Sequence, residues 1–262
     1  MRVKIFQADA FTGKIFSGNP AAVCPLDEWL SEELMQNIAS ENNLSETAFF
    51  VNVGDEYHIR WFTPAVEVNL CGHATLASGY VIFNLLKYEG AVINFYSHKS
   101  GNLRVKRDGD WLTLDFPADE LKRTDLTADF DSCFNYIPVE IFKGKTDYML
   151  VFENENQIRD LVPDFKEINK TKARGIIATA KGENTDFVSR FFAPQSGVDE
   201  DPVTGSAHTT LTPYWSEILG KKELTAVQLS KRGGFLKCRM SGSRVEISGQ
   251  ARLYMTGEIY ID

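Results

Sequence analysis

The sequence predicts an α+β protein made of two homologous lobes. Three observations carry that prediction: the chain repeats itself at about half its length, strand-like segments outnumber helical ones, and 262 residues are comfortable for two domains.

The repeat is visible when the chain is slid against itself. "RWFTPAVEVNLCGHATLASGY", from Arg60, lies over "RFFAPQSGVDEDPVTGSAHTTL", from Arg190, at an offset of 130. Arg60 meets Arg190, Phe62 meets Phe192 and Pro64 meets Pro194. A three-residue insertion then moves the offset to 133 and pairs Gly72 with Gly205, His73 with Ser206, and Ala74 with Ala207. The same register carries "SHKSGNLRVKRDGDWLTL" onto "SKRGGFLKCRMSGSRVEI", so Gly101 meets Gly234 and Gly109 meets Gly242. Two blocks in one register argue for duplication.

Each lobe follows one order of elements. "MRVKIFQADAF" and "AAVCP" alternate as strands, and "DEWLSEELMQNIASENN" is a helix with Leu30, Leu34 and Ile38 on one face. "ETAFFVNV" and "YHIRWFT" are strands, Gly72 to Leu86 is a helix, and the segments around Leu103 and Leu112 form a hairpin turning at "RDGD". In the second lobe "DYMLVFEN", "RGIIATA" and "FVSRFFA" are strands, "VPDFKEINK" is a short helix, and another helix starts near Gly205. The polar stretch 117–131 is the best linker, which puts the first lobe at 1–118 and the second at 119–250.

Composition narrows the partners. With 28 basic against 36 acidic side chains, the charge of -8 disfavours a nucleic acid. The N-terminus lacks a signal-peptide pattern, and the longest apolar stretch, Ala74 to Leu86, is too short to span a bilayer, so no membrane partner and a cytoplasmic location are expected. Cys24, Cys71, Cys133 and Cys238 form no C-x-x-C pair, and the four histidines offer no ligand pair at helical spacing. No metal site is expected.

Two-lobed proteins commonly bind small ligands between their lobes, where equivalent loops would meet; duplication kept only for packing is the alternative. The equivalent loops here are "VNLCGHATLA" and "DEDPVTGSAH". Each sets a glycine, a polar side chain and small residues at an expected helix N-terminus, where unpaired N–H groups and the helix dipole favour an anion. His73 would be the first side chain able to exchange a proton with a bound acid, or else a surface or capping histidine. Asp201 belongs to the matching loop, or with Pro202 and Ser206 makes a capping arrangement; Asp199, Glu200 and Asp201 also fit a solvated acidic loop. Upstream, Ser45 and Glu46 of "NNLSETAFFV" stand at the mouth of an apolar strand. A carboxyl there is partly desolvated and suited to moving a proton at carbon, unless both residues simply close the helix.

At "GNPAAV", "NLSETAFF", "FTPAVEVNLCGHATLA" and "DEDPVTGSAH" the chain resembles the PhzF-like (phenazine biosynthesis-like) isomerase family, whose fold is that of diaminopimelate epimerase. The resemblance covers essentially the whole chain. It implies two barrel-like lobes, each a mostly antiparallel sheet around a central helix, with residues 251–262 returning to the first lobe. It implies a homodimer and a cofactor-independent isomerase that moves a proton between carbons of a small carboxylic acid. Glu46 matches the family's proton carrier; His73 and Asp201 would assist transfer or hold substrate, Gly72, Gly205 and Ser206 would bind its carboxylate, Ser45 stands beside Glu46, and Asn19 of "GNP" is a candidate for the cleft wall. The related epimerases use a cysteine on each lobe, whereas this chain pairs Cys71 with Thr204, a hydroxyl that does not ionise near neutral pH. The other readings left open are an amino-acid epimerase or racemase using Cys71 with an unidentified partner, and a non-catalytic small-acid binding protein.

Overall fold

The computed structural model describes residues 1–125, 130–171 and 173–261. Residues 126–129 of the expected linker and the last residue of the expected returning strand lie outside these. The chain divides into two compact units, the first formed by residues 1–115 with those from 248 onward, the second by 116–247.

In the first unit β1 (Arg2–Ala10), β2 (Asn19–Leu26), α1 (Glu32–Asn42), β3 (Glu46–Val53), β4 (Glu56–Phe62), β5 (Glu67–Val68), α2 (Gly72–Tyr80), β6 (Val92–Ser97), β7 (Gly101–Asp108) and β8 (Trp111–Pro117) follow in order. The expected helix over 27–43 begins later, at Glu32. Ser31 has extended backbone and its side chain accepts from the Leu34 amide, so it caps the helix and leaves Leu30 outside. The buried face is Met35, Ile38 and Ala39, with Leu30 and Leu34 packed partly against that core.

Strand β2 runs parallel to β3, and β4 parallel to β6, while β3 and β4, β6 and β7, and β7 and β8 pair antiparallel. The sheet is thus mostly antiparallel, as expected, with the two parallel pairs making it mixed. A parallel neighbour needs a crossover, and α1 and α2 are carried in those two connections. The expected turn at "RDGD" is observed, with Gly109 at φ 57°.

Helix α2 is buried along nearly its whole length, from His73 to Gly79, and packs against β1, β2, β3, β7 and a strand from the chain's end. A helix apolar on one side could not survive there; this one is made of small residues. Its hydroxyls return to its own backbone, Thr75 Oγ1 to the Cys71 carbonyl at 2.5 Å and Ser78 Oγ to that of Ala74 at 2.7 Å. The helical path continues through a π-helical turn over Val81–Leu85.

The second unit contains β9 (Lys122–Thr124), β10 (Glu140–Lys143), β11 (Tyr148–Val151), α3 (Glu155–Arg159), α4 (Phe165–Lys170), β12 (Ile176–Lys181), β13 (Phe187–Phe192), α5 (Ala207–Leu219), β14 (Glu223–Gln228), β15 (Gly234–Ser241) and β16 (Arg244–Gly249). Here β11 is parallel to β12 and β13 to β14, with β12 and β13, and β14 and β15, antiparallel. Pro213 stands inside α5 and lacks the N–H that would reach the Thr209 carbonyl; that carbonyl instead accepts the Asp119 amide at 3.1 Å. Leu150, Phe152, Ile158, Ile176, Val188 and Phe192 are among the core residues.

The final strand, β17 (Ala251–Tyr260), pairs antiparallel with β1 from Ala10 opposite Ala251 to Arg2 opposite Tyr260 and belongs to the first unit. All four cysteines are buried, and none is in a disulfide among the described residues. No helix among the described residues is long and apolar enough to cross a membrane.

The connection from β1 to β2 is strained. Phe11, Phe16 and Gly18 all have positive φ, at 60°, 66° and 67°, and the Phe16 amide is fixed to the buried Asp9 carboxylate at 2.8 Å. At Gly18 a Cβ would collide with the Ala10 carbonyl oxygen and the Thr12 side chain. The strain delivers Asn19 into the ladder opposite Ala10. Gly18→Ala should therefore lower stability by about 3 kcal/mol, measured by urea unfolding, whereas Gly54→Ala, also at positive φ but with open space around its Cβ, should cost less.

Candidate functional site in the first unit

Three elements of the first unit end at one place. Asn19 begins β2, Glu46 begins β3, and Cys71 and Gly72 open α2 with His73 next. Because β2 and β3 are parallel, with Ala21 opposite Glu46, both strands present their first residues at the same edge, and the buried α2 begins beside them. Asn19, His73 and Cys71 are buried, and the Glu46 side chain keeps 18% of its surface.

His73 is the hub. Asn19 Nδ2 lies 3.2 Å from His73 Nδ1, and Glu46 Oε2 lies 3.3 Å from His73 Nε2. With the amide nitrogen donating to Nδ1, the ring carries its hydrogen on Nε2, facing the carboxylate. Burial pushes the His73 pKa down to about 3, so the ring is a neutral donor across the ordinary range. Cys71 Sγ is 3.5 Å from Nδ1 and 4.0 Å from Nε2.

The ligating atoms of Glu46, Cys71 and His73 lie within 4.8 Å of one another, close enough for a metal ion to be considered. Nε2 of His73 lies 3.3 Å from Glu46 Oε2 and 4.0 Å from Cys71 Sγ, while Nδ1 is approached by Asn19 Nδ2 at 3.2 Å, so the ring can either link Asn19 to Glu46 by hydrogen bonds or offer Nε2 as a ligand.

Cys71 precedes α2 with extended backbone, and its side chain makes no capping bond. The first amides of the helix, from Gly72, have no intrahelical acceptor and are donors for an anion. Ser45 stands half-buried directly before β3, and its hydroxyl makes no hydrogen bond among the described residues.

A buried ion pair holds the loop that leads into α2. Arg60 of β4 forks onto Glu67 of β5, Nε to Oε1 at 2.8 Å and Nη2 to Oε2 at 3.0 Å, and Lys99 reaches the same carboxylate at 2.7 Å. Burial would raise the Glu67 pKa, but the Arg60 and Lys99 hydrogen bonds outweigh it and hold it down to about 2. The second unit repeats the device. Arg190 of β13 forks onto Glu200 at 2.7 and 2.9 Å and also donates to the carbonyls of Ile158 and Leu161. Sequence reasoning matched Arg60 with Arg190 without seeing their purpose; an acidic residue 7 positions on in one copy and 10 in the other was the available signal.

The second unit's loop is not simply a solvated acidic one. Asp199 is exposed, but Glu200 is paired with Arg190, and Asp201 is half-buried with its Oδ2 accepting the Thr204 hydroxyl at 2.5 Å. Asp201 does not cap α5, because the residue before that helix is Ser206, in helical conformation and with no side-chain capping bond. Gln228 completes the network, accepting the Thr204 amide at 2.8 Å and donating to the Asp201 carbonyl at 2.7 Å. Gly205 is buried, and Ser206 Oγ accepts from Arg174 Nη2 at 3.3 Å. His208, one turn on, is buried with Nδ1 2.9 Å from the Thr204 carbonyl, and burial lowers its pKa to about 4.

The chain matches the model of the phenazine biosynthesis-like protein family over residues 8–257. It is 51% identical, over 99% of each chain, to a Pseudomonas aeruginosa protein named an uncharacterized isomerase. The crystal structure of a phenazine biosynthesis protein of the PhzF family from Enterococcus faecalis superposes with a TM-score of 0.97 at 43% identity, covering 100% of both chains. A probable proline racemase from Agrobacterium radiobacter covers 99% of this chain and 93% of its own with a TM-score of 0.66 at 9% identity, a likeness of fold alone.

The buried groups fix an acid response. His73 and His208 take protons near 6.5 when unfolded but only near pH 3 and 4 when folded, so the unfolded chain binds more protons between these values and stability falls as pH drops from 6.5. Glu67, at about 2 folded against 4.5 unfolded, adds a second loss as pH falls below 4.5. The melting temperature should decline from pH 6.5 downward, and His208→Gln should flatten the upper part of that decline. A melting temperature independent of pH between 6.5 and 4.5 would contradict the assignment.

Proposed function

The chain belongs to the phenazine biosynthesis-like (PhzF) family, and from that premise we propose that it is an isomerase that moves a proton between carbons of a small carboxylic acid. The observation that carries the choice of groups is the Glu46 carboxylate at the mouth of β3, 3.3 Å from a buried, neutral His73. In this reading Glu46 takes a proton from a carbon activated by the substrate's carboxyl or an adjoining double bond. The electron pair shifts along the substrate, and the protonated Glu46 returns the proton to a different carbon, so nothing is gained or lost. His73 donates its Nε2 hydrogen to the carboxylate or to the developing anion, Asn19 holds the ring's tautomer, and the amides from Gly72 onward stabilise negative charge. Ser45 is a further donor beside Glu46. We assign substrate contacts to Asp201, Gly205 and Ser206 by their match to the family motif. Relatives named isomerases support the reaction class.

A second reading draws on Cys71 Sγ, 3.5 Å from His73 Nδ1: an epimerase with a thiol base. Such a mechanism takes a proton from one face and returns one to the other, which needs a second group. At the repeat-equivalent position Thr204 gives its hydroxyl to Asp201 and is held by Gln228, so it supplies no second base.

Incubating the protein with small-acid metabolite mixtures in deuterated water, with mass spectrometry of the acids, separates these readings. Glu46→Gln should lose about a thousandfold or more of the exchange at carbon, and His73→Asn roughly ten- to a hundredfold. Cys71→Ala should retain it. Exchange that survives Glu46→Gln and disappears in Cys71→Ala would overturn the isomerase in favour of the epimerase.

A further inference from the structure

The isomerase mechanism gives Glu46 and His73 a step each and leaves Cys71 without one. The position of that sulfur is nonetheless specific. Cys71 makes no capping bond to α2, and its Sγ stands beside the imidazole, 3.5 Å from Nδ1 and 4.0 Å from Nε2. The thiol, the ring and the carboxylate all belong to the first unit, where β3 and α2 begin side by side.

These three groups have nearly the spacing of zinc ligands. Around a tetrahedral zinc ion, a ligand nitrogen and a ligand oxygen stand about 3.3 Å apart, and a nitrogen and a sulfur about 3.6 Å. Here Nε2 lies 3.3 Å from Glu46 Oε2 and 4.0 Å from Cys71 Sγ, and the ligand atoms of all three residues fall within 4.8 Å of one another. One side of the triangle already matches, and small rotations of the Cys71 and Glu46 side chains close the other two. Glu46 opens to solvent, with 18% of its side chain accessible, so an ion has a way in. Among the described residues no other three histidine, cysteine or acidic side chains form such a group.

The donor set selects the ion. A thiolate, an imidazole and a carboxylate suit zinc, whereas magnesium and calcium take oxygen ligands, and three protein ligands leave the fourth position to water. Asn19 stands where the outer support of such a site belongs. Ligation through Nε2 puts the ring hydrogen on Nδ1, 3.2 Å from the Asn19 amide, and a half-turn of that amide presents Oδ1 as its acceptor. One proton leaves on binding, that of the Cys71 thiol.

We infer that Glu46, Cys71 and His73 form a reversible zinc site that switches the proton carrier off. The site itself stands on the geometry of the three side chains; its regulatory effect rests on the reading of Glu46 as the group that moves the proton. Coordination makes the carboxylate a weaker base and fixes it to the ion, and the Nε2 hydrogen that would assist it is displaced. Cys71 makes the site responsive to a thiophilic metal.

Cobalt(II), which takes zinc's place and absorbs visibly in tetrahedral sites, is titrated into the reduced, chelator-treated full chain, followed by Zn2+. The wild type should show tetrahedral cobalt bands with a thiolate-to-cobalt charge-transfer band, and Zn2+ should abolish both. Competition with a chromophoric chelator should give a zinc Kd of about 1 μM or tighter. Cys71→Ser should erase the charge-transfer band, and both it and His73→Asn should weaken zinc roughly a hundredfold; Cys238→Ser, buried in the second unit, should change neither, and Mg2+ should not compete. Saturating Zn2+ should slow exchange at carbon in deuterated water at least roughly tenfold, and a chelator should restore it. A cobalt spectrum without the charge-transfer band, or one unchanged in Cys71→Ser, overturns the site. Exchange as fast with zinc as without it overturns the switch. A chain that shows the cobalt spectrum but exchanges no acid in either state removes the isomerase reading and the switch with it, while the zinc site stands.

Discussion

The arginine–carboxylate fork at the base of each helix is the constraint on which the rest depends. Arg60 and Glu67 are both nearly buried, with 16% and 7% of their side chains accessible, and Arg190 and Glu200 are close to that. Such a pair is costly to desolvate and adds little net stability, but its two parallel hydrogen bonds admit only one geometry. Each arginine also lies against the ring two residues further along its own strand, Arg60 over Phe62 and Arg190 over Phe192. Strand, loop and helix start are thereby locked together. In the first unit this fixes where α2 begins, and so where Cys71, Gly72 and His73 stand relative to β2 and β3.

Once that helix start is fixed, burial supplies the chemistry. His73 is stripped of water and kept neutral, Asn19 selects its tautomer, and the carboxylate that faces it at the edge is Glu46. The helix carrying His73 tolerates burial on all sides because, His73 itself and Leu76 apart, its buried residues are small or carry hydroxyls bonded to their own turn. A bulkier or more polar helix would need water where the site needs its absence.

Much of this was legible in the sequence where the signal was local. "ETAFFVNV" marked β3 from its first residue, the "RDGD" turn marked the β7–β8 hairpin, and the glycine–histidine step marked the start of α2. The start of α1 was not, because Leu30 extends the apolar period backward across Ser31 and only the capping bond decides the boundary. The mixed character of the sheet was equally hidden, since a strand's sequence does not say which neighbour it will meet. Asp147 and Arg174 escaped because they are 27 positions apart and become a pair only across neighbouring strands.

By itself the sequence determined the order of elements, the repeat, the family and the residues from which a site could be drawn, because each of these is encoded in spacing along the chain. The tertiary structure alone decided which of those residues touch. It made His73 a neutral hub and not a capping residue, tied the Thr204 hydroxyl to Asp201, turned Glu67 and Glu200 into braces, and brought Arg174 to Ser206. The reason is physical: protonation state and hydrogen-bond partner depend on what has been excluded from a side chain's surroundings, and that is set by packing between segments far apart in the chain.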